Sequence, residues 1–121
     1  MSKRILVVED QEDTRQILRD LLTSVGYEII QAENGEEALA TAARERPDLI
    51  LMDIQLPLLD GYEVTRRIKA DPALRASPII AVTSYALSGD EGKARAAGCD
   101  AYVTKPYNPR ALLAKIREYV P

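Results

Sequence analysis

Four short aliphatic runs punctuate the chain: "RILVV" before Glu9, "DLILM" before Asp53, "PIIAV" before Thr83 and "AYV" before Thr104. None alternates with polar residues, so each predicts a strand buried on both faces. A fifth run, "YEIIQA" from Tyr27 to Ala32, carries Glu28 and Gln31 and predicts an edge strand. Between the runs the period becomes helical. Ile17, Leu18, Leu21, Leu22 and Val25 are expected to form one apolar stripe, and Leu112, Leu113, Ile116 and Val120 another. Asn34 with Glu37 and Ser88 with Glu91 have capping-box spacing, Asn108-Pro109 sets a cap before a first-turn proline, and Gly26 and Gly98 follow helix ends. The alanine-rich "EEALATAARER" and "GKARAAG" are expected to be ordinary helix surface.

Five βα units in succession predict an α/β fold: a doubly wound parallel sheet with right-handed crossovers and helices on both faces. For five strands the expected arrangement is flavodoxin-like (βα)5 with strand order 2-1-3-4-5. At 121 residues, without a linker or low-complexity tail, the chain reads as one domain over 1–121.

Charge narrows the function. There are 16 Lys and Arg against 19 Asp and Glu, with no basic cluster, so direct nucleic-acid binding is not expected. Cys99 stands alone among small and apolar residues and reads as a reduced core thiol. No apolar run approaches the roughly 18 residues of a membrane span, and no signal peptide precedes the first strand. A soluble, cytoplasmic protein with no membrane partner is the expectation.

The strand ends carry the chemistry. In an open α/β sheet the reactive edge lies at the carboxyl ends of the strands, near the point where strand order reverses. There the chain places Glu9-Asp10, Asp53, Thr83-Ser84 and Thr104-Lys105-Pro106. Asp53 raises a particular question, because Pro57 and the Asp60-Gly61 turn delay the next helix and leave its carboxylate no helix to cap. Taken singly, Asp10 reads as a cap for the following helix, Glu12 and Asp13 as its favourable first turn, Thr83 as a common strand-end residue and Lys105-Pro106 as a turn. Together they read differently. With the first and third strands adjacent, about 4.8 Å apart, Glu9, Asp10 and Asp53 converge, and each carboxylate pair at about 5.5 Å repels by roughly 3 kcal/mol at an effective dielectric near 20. A proton or a cation must offset this, and an all-oxygen ligand set points to Mg²⁺; zinc is a poor fit with no His and one Cys. Lys105 supplies a second positive charge. A carboxylate nucleophile, a divalent ion, an ammonium and a hydroxyl suit phosphoryl transfer onto Asp53.

At these residues the chain resembles the receiver domain of bacterial two-component response regulators, along "ILVVEDQED", "PDLILMDIQLPLLDGYEV", "PIIAVTSYA" and "AAGCDAYVTKP". Within that family, "MDIQLP", "AVTSYAL" and "GCDAYVTKP" are most similar to single-domain regulators of the DivK type and to receivers of hybrid kinases. The resemblance implies that Asp53 is the phosphoacceptor and that Asp10, Asp53 and the main-chain carbonyl of Gln55 bind Mg²⁺, with Glu9 helping through water. It implies that Thr83 and Lys105 hold the phosphoryl oxygens, that Lys105-Pro106 is a cis peptide, and that Tyr102 turns inward with Thr83 as the switch. Gln55 and Tyr85 fall at variable positions that tune the phosphate's lifetime, and the bulk of Tyr85 is expected to shield it partly from water. Departures are small: Tyr107 stands where Phe is frequent.

The expected output face carries Tyr85, Leu87, Tyr102, Pro106 and Tyr107. With no His the chain cannot be the histidine phosphodonor, so a histidine kinase, a histidine phosphotransfer protein or a small acyl phosphate must supply the group, and output must pass to a downstream protein. Three rivals stand beside this reading. A flavodoxin-like FMN module would need phosphate donors where "EDQED" places carboxylates. An Asp-nucleophile phosphatase would need an acid two residues after Asp53, where Gln55 stands. A scaffold without phosphorylation would have no use for the intact Asp10, Asp53, Thr83 and Lys105.

Overall fold

A computed structural model of the chain describes residues 3–57, 59–83, 90–105 and 108–121, and of Asp90 the backbone alone. Strands β1 (Arg4–Val8), β2 (Glu28–Ala32), β3 (Leu49–Asp53), β4 (Ile79–Thr83) and β5 (Ala101–Thr104) alternate with helices α1 (Glu12–Ser24), α2 (Gly35–Glu45), α3 (Gly61–Ala70), α4 (Asp90–Ala97) and α5 (Pro109–Arg117). The strands pair in parallel in the order β2-β1-β3-β4-β5, as the alternating units predict. Asp53, Thr83 and Thr104 are the last residues of their strands rather than the first beyond them.

Each central strand feeds two apolar layers, because successive side chains point to opposite faces. Leu6, Val8, Ile50, Met52, Ile79 and Ala81 pack with residues of α2, α3 and α4, while Ile5, Val7, Leu49, Leu51 and Ile80 pack with α1 and α5. This double burial is why the strands read as continuous aliphatic runs. The edge strand β2 is partly exposed, as its polar residues require.

Two expectations about helix faces are corrected. Leu18 and Leu22 are buried, but Ile17 is 65% exposed and Val25 38% exposed. The inward line of α1 is Arg15, Leu18 and Leu22, spaced i, i+3, i+7; Ile17 lies about 100° round the helix from Leu18, and Val25 is already the C-cap. The alanine-rich segments are not all surface: Ala38, Ala42 and Ala94 are fully buried. Their small side chains let α2 and α4 lie close against the sheet.

Local punctuation holds where it is described. The Asn34 side chain accepts from the Glu37 N–H at 2.8 Å, while the Glu37 carboxylate reaches the N–H of Glu33, one residue beyond the expected box. Asn108 accepts from the Arg110 N–H at 2.8 Å, with Pro109 in the first turn. Gly26 and Gly98 take φ of +96° and +113°, the left-handed turns that end α1 and α4. The Ser88 cap lies outside the described residues. Cys99 is buried, with its Sγ 3.8 Å from Thr65 Oγ1, and burial pushes its thiol up. Among the described residues, no helix is long and apolar enough to cross a membrane.

Candidate functional site at the carboxyl edge

Register brings the acidic residues together. β1 and β3 align Val8 with Met52, so Glu9 and Asp53 emerge side by side, and Asp10 follows Glu9 out of the sheet. One carboxylate oxygen from each of Glu9, Asp10 and Asp53 lies within 4.8 Å of the others. On the far side β4 pairs with β5 so that Thr83 faces Thr104, and the Lys105 N–H donates to the Thr83 carbonyl at 2.6 Å. The Lys105 side chain then reaches back across the sheet. Its Nζ lies 2.8 Å from Glu9 Oε1 and 3.8 Å from Asp53 Oδ2.

The carboxylates have different surroundings. Glu9 and Asp53 are buried, at 3% and 5% exposure, whereas Asp10 faces solvent. Glu9 also accepts from the Gln11 N–H at 3.2 Å. Asp53 accepts from the Gln55 N–H at 3.0 Å, so the carboxylate that has no helix to cap instead braces its own loop. The Asp10 carboxyl is raised above its ordinary range, first by partial desolvation and then by the hydrogen bond and charge of Glu9 beside it.

Three carboxylates against one ammonium leave an excess of negative charge, and each carboxylate pair within 4.8 Å repels by about 3 kcal/mol or more at an effective dielectric near 20. The donor set is all oxygen, compact and open to water at Asp10. That fits Mg²⁺, which takes one or two carboxylates and keeps several waters.

Other predicted residues fall around this group. Thr83 is 2% exposed at the end of β4, and Tyr102 is partly buried against the layer that holds α3 and α4. Tyr85, Leu87, Pro106 and Tyr107 lie outside the described residues, and with them the Lys105-Pro106 peptide. The bland alternative for Asp10, a cap for α1, is not what the structure has: Gln11 is the N-cap residue, and its side chain makes no capping bond.

Two contributors escape sequence reasoning. Arg15 on α1 is buried and donates to the Glu9 carbonyl at 2.8 Å; the available signal was its i, i+3, i+7 spacing with Leu18 and Leu22. Gly61 opens α3 against the end of β3, where an added Cβ would stand 2.6 Å from the Asp53 carbonyl oxygen and 2.7 Å from Ile54 Cα. Both contacts are backbone, so neither yields without moving the acidic loop. Gly61→Ala is expected to cost about 2 kcal/mol and to displace the Asp53 and Ile54 amide resonances; a urea midpoint equal to that of the wild type would contradict this.

Comparison with known proteins agrees with this fold. The family model described as response regulator receiver domain matches residues 5–117. The polar-differentiation response regulator DivK of Brucella anthropi is 48% identical, over 99% of this chain and 98% of its own. Among solved structures, the receiver domain of a sensor histidine kinase from Pseudomonas aeruginosa, with a magnesium ion coordinated in its active-site cleft, is 38% identical with a TM-score of 0.91, covering 98% of both chains. The chemotaxis protein CheY4 of Vibrio cholerae superposes with a TM-score of 0.93 at 28% identity, covering 99% of this chain and 100% of its own.

Proposed function

The chain belongs to the response regulator receiver family of two-component signalling, and from that premise we propose that residues 1–121 form a phosphorylation-dependent switch whose acceptor is Asp53. The observation that carries the reading is the meeting, at one sheet edge, of Glu9, Asp10 and Asp53 within 4.8 Å and of the Lys105 ammonium 3.8 Å from the Asp53 carboxylate. Asp10, Asp53 and the Gln55 carbonyl would hold Mg²⁺, with Glu9 assisting through water. When bound, the ion supplies positive charge against the oxygens of the transferring group.

This chain's own residues do the rest. An Asp53 carboxylate oxygen attacks phosphorus while the bond from phosphorus to the donor's histidine nitrogen or acyl oxygen breaks, and the donor leaves with that electron pair. The Lys105 ammonium balances charge on the equatorial oxygens, and the Thr83 hydroxyl donates to one of them. Gln55 and Tyr85, the two variable positions of the sequence, set how long the aspartyl phosphate lasts. Signalling follows because the phosphoryl group favours one of two arrangements, which Thr83 and Tyr102 report to the face around β4, β5 and α5. The phosphodonor is a histidine kinase or a histidine phosphotransfer protein, and the recipient is a downstream protein.

A second reading, as a receiver of hybrid-kinase type, draws on the 38% identity to the histidine-kinase receiver. The flavin reading loses ground to the acidic pocket, which repels a bound phosphate unless a cation is present, and the phosphatase reading to Gln55, an amide where that chemistry needs an acid.

Two-dimensional NMR with Mg²⁺ and acetyl phosphate, or beryllofluoride, tests the proposal. Amide shifts are expected at Asp53, Thr83, Tyr102 and Lys105; a spectrum unchanged by either reagent would rule it out. The affinity for Mg²⁺ should also fall with acidity, because a proton competes with the ion for a carboxylate. Since the Asp10 carboxyl is raised, the loss on lowering pH is expected to begin above the ordinary aspartate range. Mg²⁺ titrations at several pH values check this, and an Asp10→Asn variant should bind more weakly throughout while losing that part of the dependence.

A further inference from the structure

The buried guanidinium of Arg15 is not used by the proposed chemistry, and its partners say what it does. Nη1 donates to the Glu9 carbonyl at 2.8 Å, and that carbonyl belongs to the peptide joining Glu9 to Asp10. The Glu9 N–H donates to the Ala32 carbonyl at 3.1 Å, so this strand end is gripped from both sides. The other arm of the fork, Nη2, lies 3.5 Å from Glu33 Oε1, whose side chain is 64% exposed. A solvated partner at that distance contributes little. Burying a cation is costly unless it is well paired. Here the cation's short, buried bond is to the backbone that aims two carboxylates.

We propose that Arg15 is a positioning residue for the acidic pocket, fixing the Glu9-Asp10 peptide so that both carboxylates converge on Asp53. Three features support this over plain packing. Leu18 and Leu22 already supply the apolar contact of α1 with the sheet, and Leu or Met would extend that line more cheaply. A guanidinium presents its donors in a fixed plane, which suits holding a carbonyl in one orientation. Its positive charge also sits against the link between two acidic residues, where it opposes their mutual repulsion.

The affinity readout of the following test rests on the Mg²⁺ site proposed above; the shift readout does not. Arg15→Met keeps the aliphatic stem and removes the fork. Outer-shell partners of metal ligands typically contribute 10- to 100-fold to affinity, so Arg15→Met is expected to weaken Mg²⁺ binding by about 10-fold or more in protein verified as folded by thermal melting. In the metal-free variant the Asp10 and Gln11 amide resonances should move while those of Ile79 and Ile80 stay. Arg15→Lys should recover part of the affinity, and Glu33→Gln should leave it unchanged. Mg²⁺ affinity equal to wild type in Arg15→Met, or unmoved Asp10 and Gln11 amides, would overturn the assignment. If the wild type binds no Mg²⁺ but those amides still move, the metal site fails and the positioning role stands. Should Arg15→Met not fold, the wild-type guanidinium decides: separate, slowly exchanging Nη hydrogens are expected, and a freely rotating group refutes the proposal.

Discussion

Asp53→Asn is expected to take up no phosphoryl group from acetyl phosphate in the presence of Mg²⁺, while the wild type gains one. The substitution is nearly isosteric, and the Asn carbonyl can still accept from the Gln55 N–H at the position Asp53 Oδ1 now occupies. What disappears is the nucleophile, because an amide oxygen does not form a stable acyl phosphate. The same change should stabilise the metal-free protein. Removing the Asp53 charge relieves two repulsions of about 3 kcal/mol or more each and forfeits one attraction to Lys105 of about 4 kcal/mol, for separations within 4.8 Å and of 3.8 Å respectively and an effective dielectric near 20. Repulsion wins, and after solvent screening about 1 kcal/mol should remain, a rise of about 4 °C in Tm. Mg²⁺ should then raise the melting temperature of the wild type more than that of the variant. Intact-mass measurement and thermal melts decide both parts; phosphate on Asp53→Asn, or a lowered Tm, would contradict the site as described.

Lys105→Met is expected to act in the opposite direction on stability. Glu9 is 3% exposed, and without the ammonium 2.8 Å away its carboxylate is left with the Gln11 N–H and the Asp10 carboxyl beside it. Breaking a fully buried pair by removing one partner costs about 3–5 kcal/mol. The Lys105 side chain is 24% exposed, so water recovers part of this. A loss of about 2 kcal/mol remains, or roughly 8 °C in Tm. Added Mg²⁺ should restore some of it by neutralising the same carboxylates. Phosphoryl uptake on Asp53 should slow by about 10²-fold, the effect of deleting one preorganised donor from a site of developing negative charge. A variant as stable as the wild type without Mg²⁺ would mean that the bond between Glu9 and Lys105 does not form in solution.

Much of this was legible in the chain. Aliphatic runs without alternation announced strands covered on both faces, and their alternation with helical periods announced the parallel order β2-β1-β3-β4-β5. That order makes β1 and β3 neighbours, so the convergence of Glu9, Asp10 and Asp53 followed from topology alone. Helix faces were less legible. Ile17 and Leu18 are both apolar neighbours on α1, and periodicity cannot say which of two adjacent lines meets the sheet. Alanine carries too little hydrophobicity to declare its own side, so the burial of Ala38, Ala42 and Ala94 emerged only from the packed helices.

The sequence by itself determined the strand order and which charged groups reach the carboxyl edge, because hydrophobic period and chain connectivity are local properties. Only the tertiary structure decided which partner each group takes. Lys105 lies nearer to Glu9 than to Asp53, the Gln55 N–H turns back to Asp53, Gly61 presses α3 against the Asp53 carbonyl and Arg15 holds the Glu9 carbonyl from beneath. Such pairings depend on differences of about an ångström, whether the partners are close in the chain, as Gln55 and Asp53 are, or distant, as Lys105 and Glu9 are. Coulomb and hydrogen-bond energies change steeply over that distance, and no pattern along a single strand or helix encodes it.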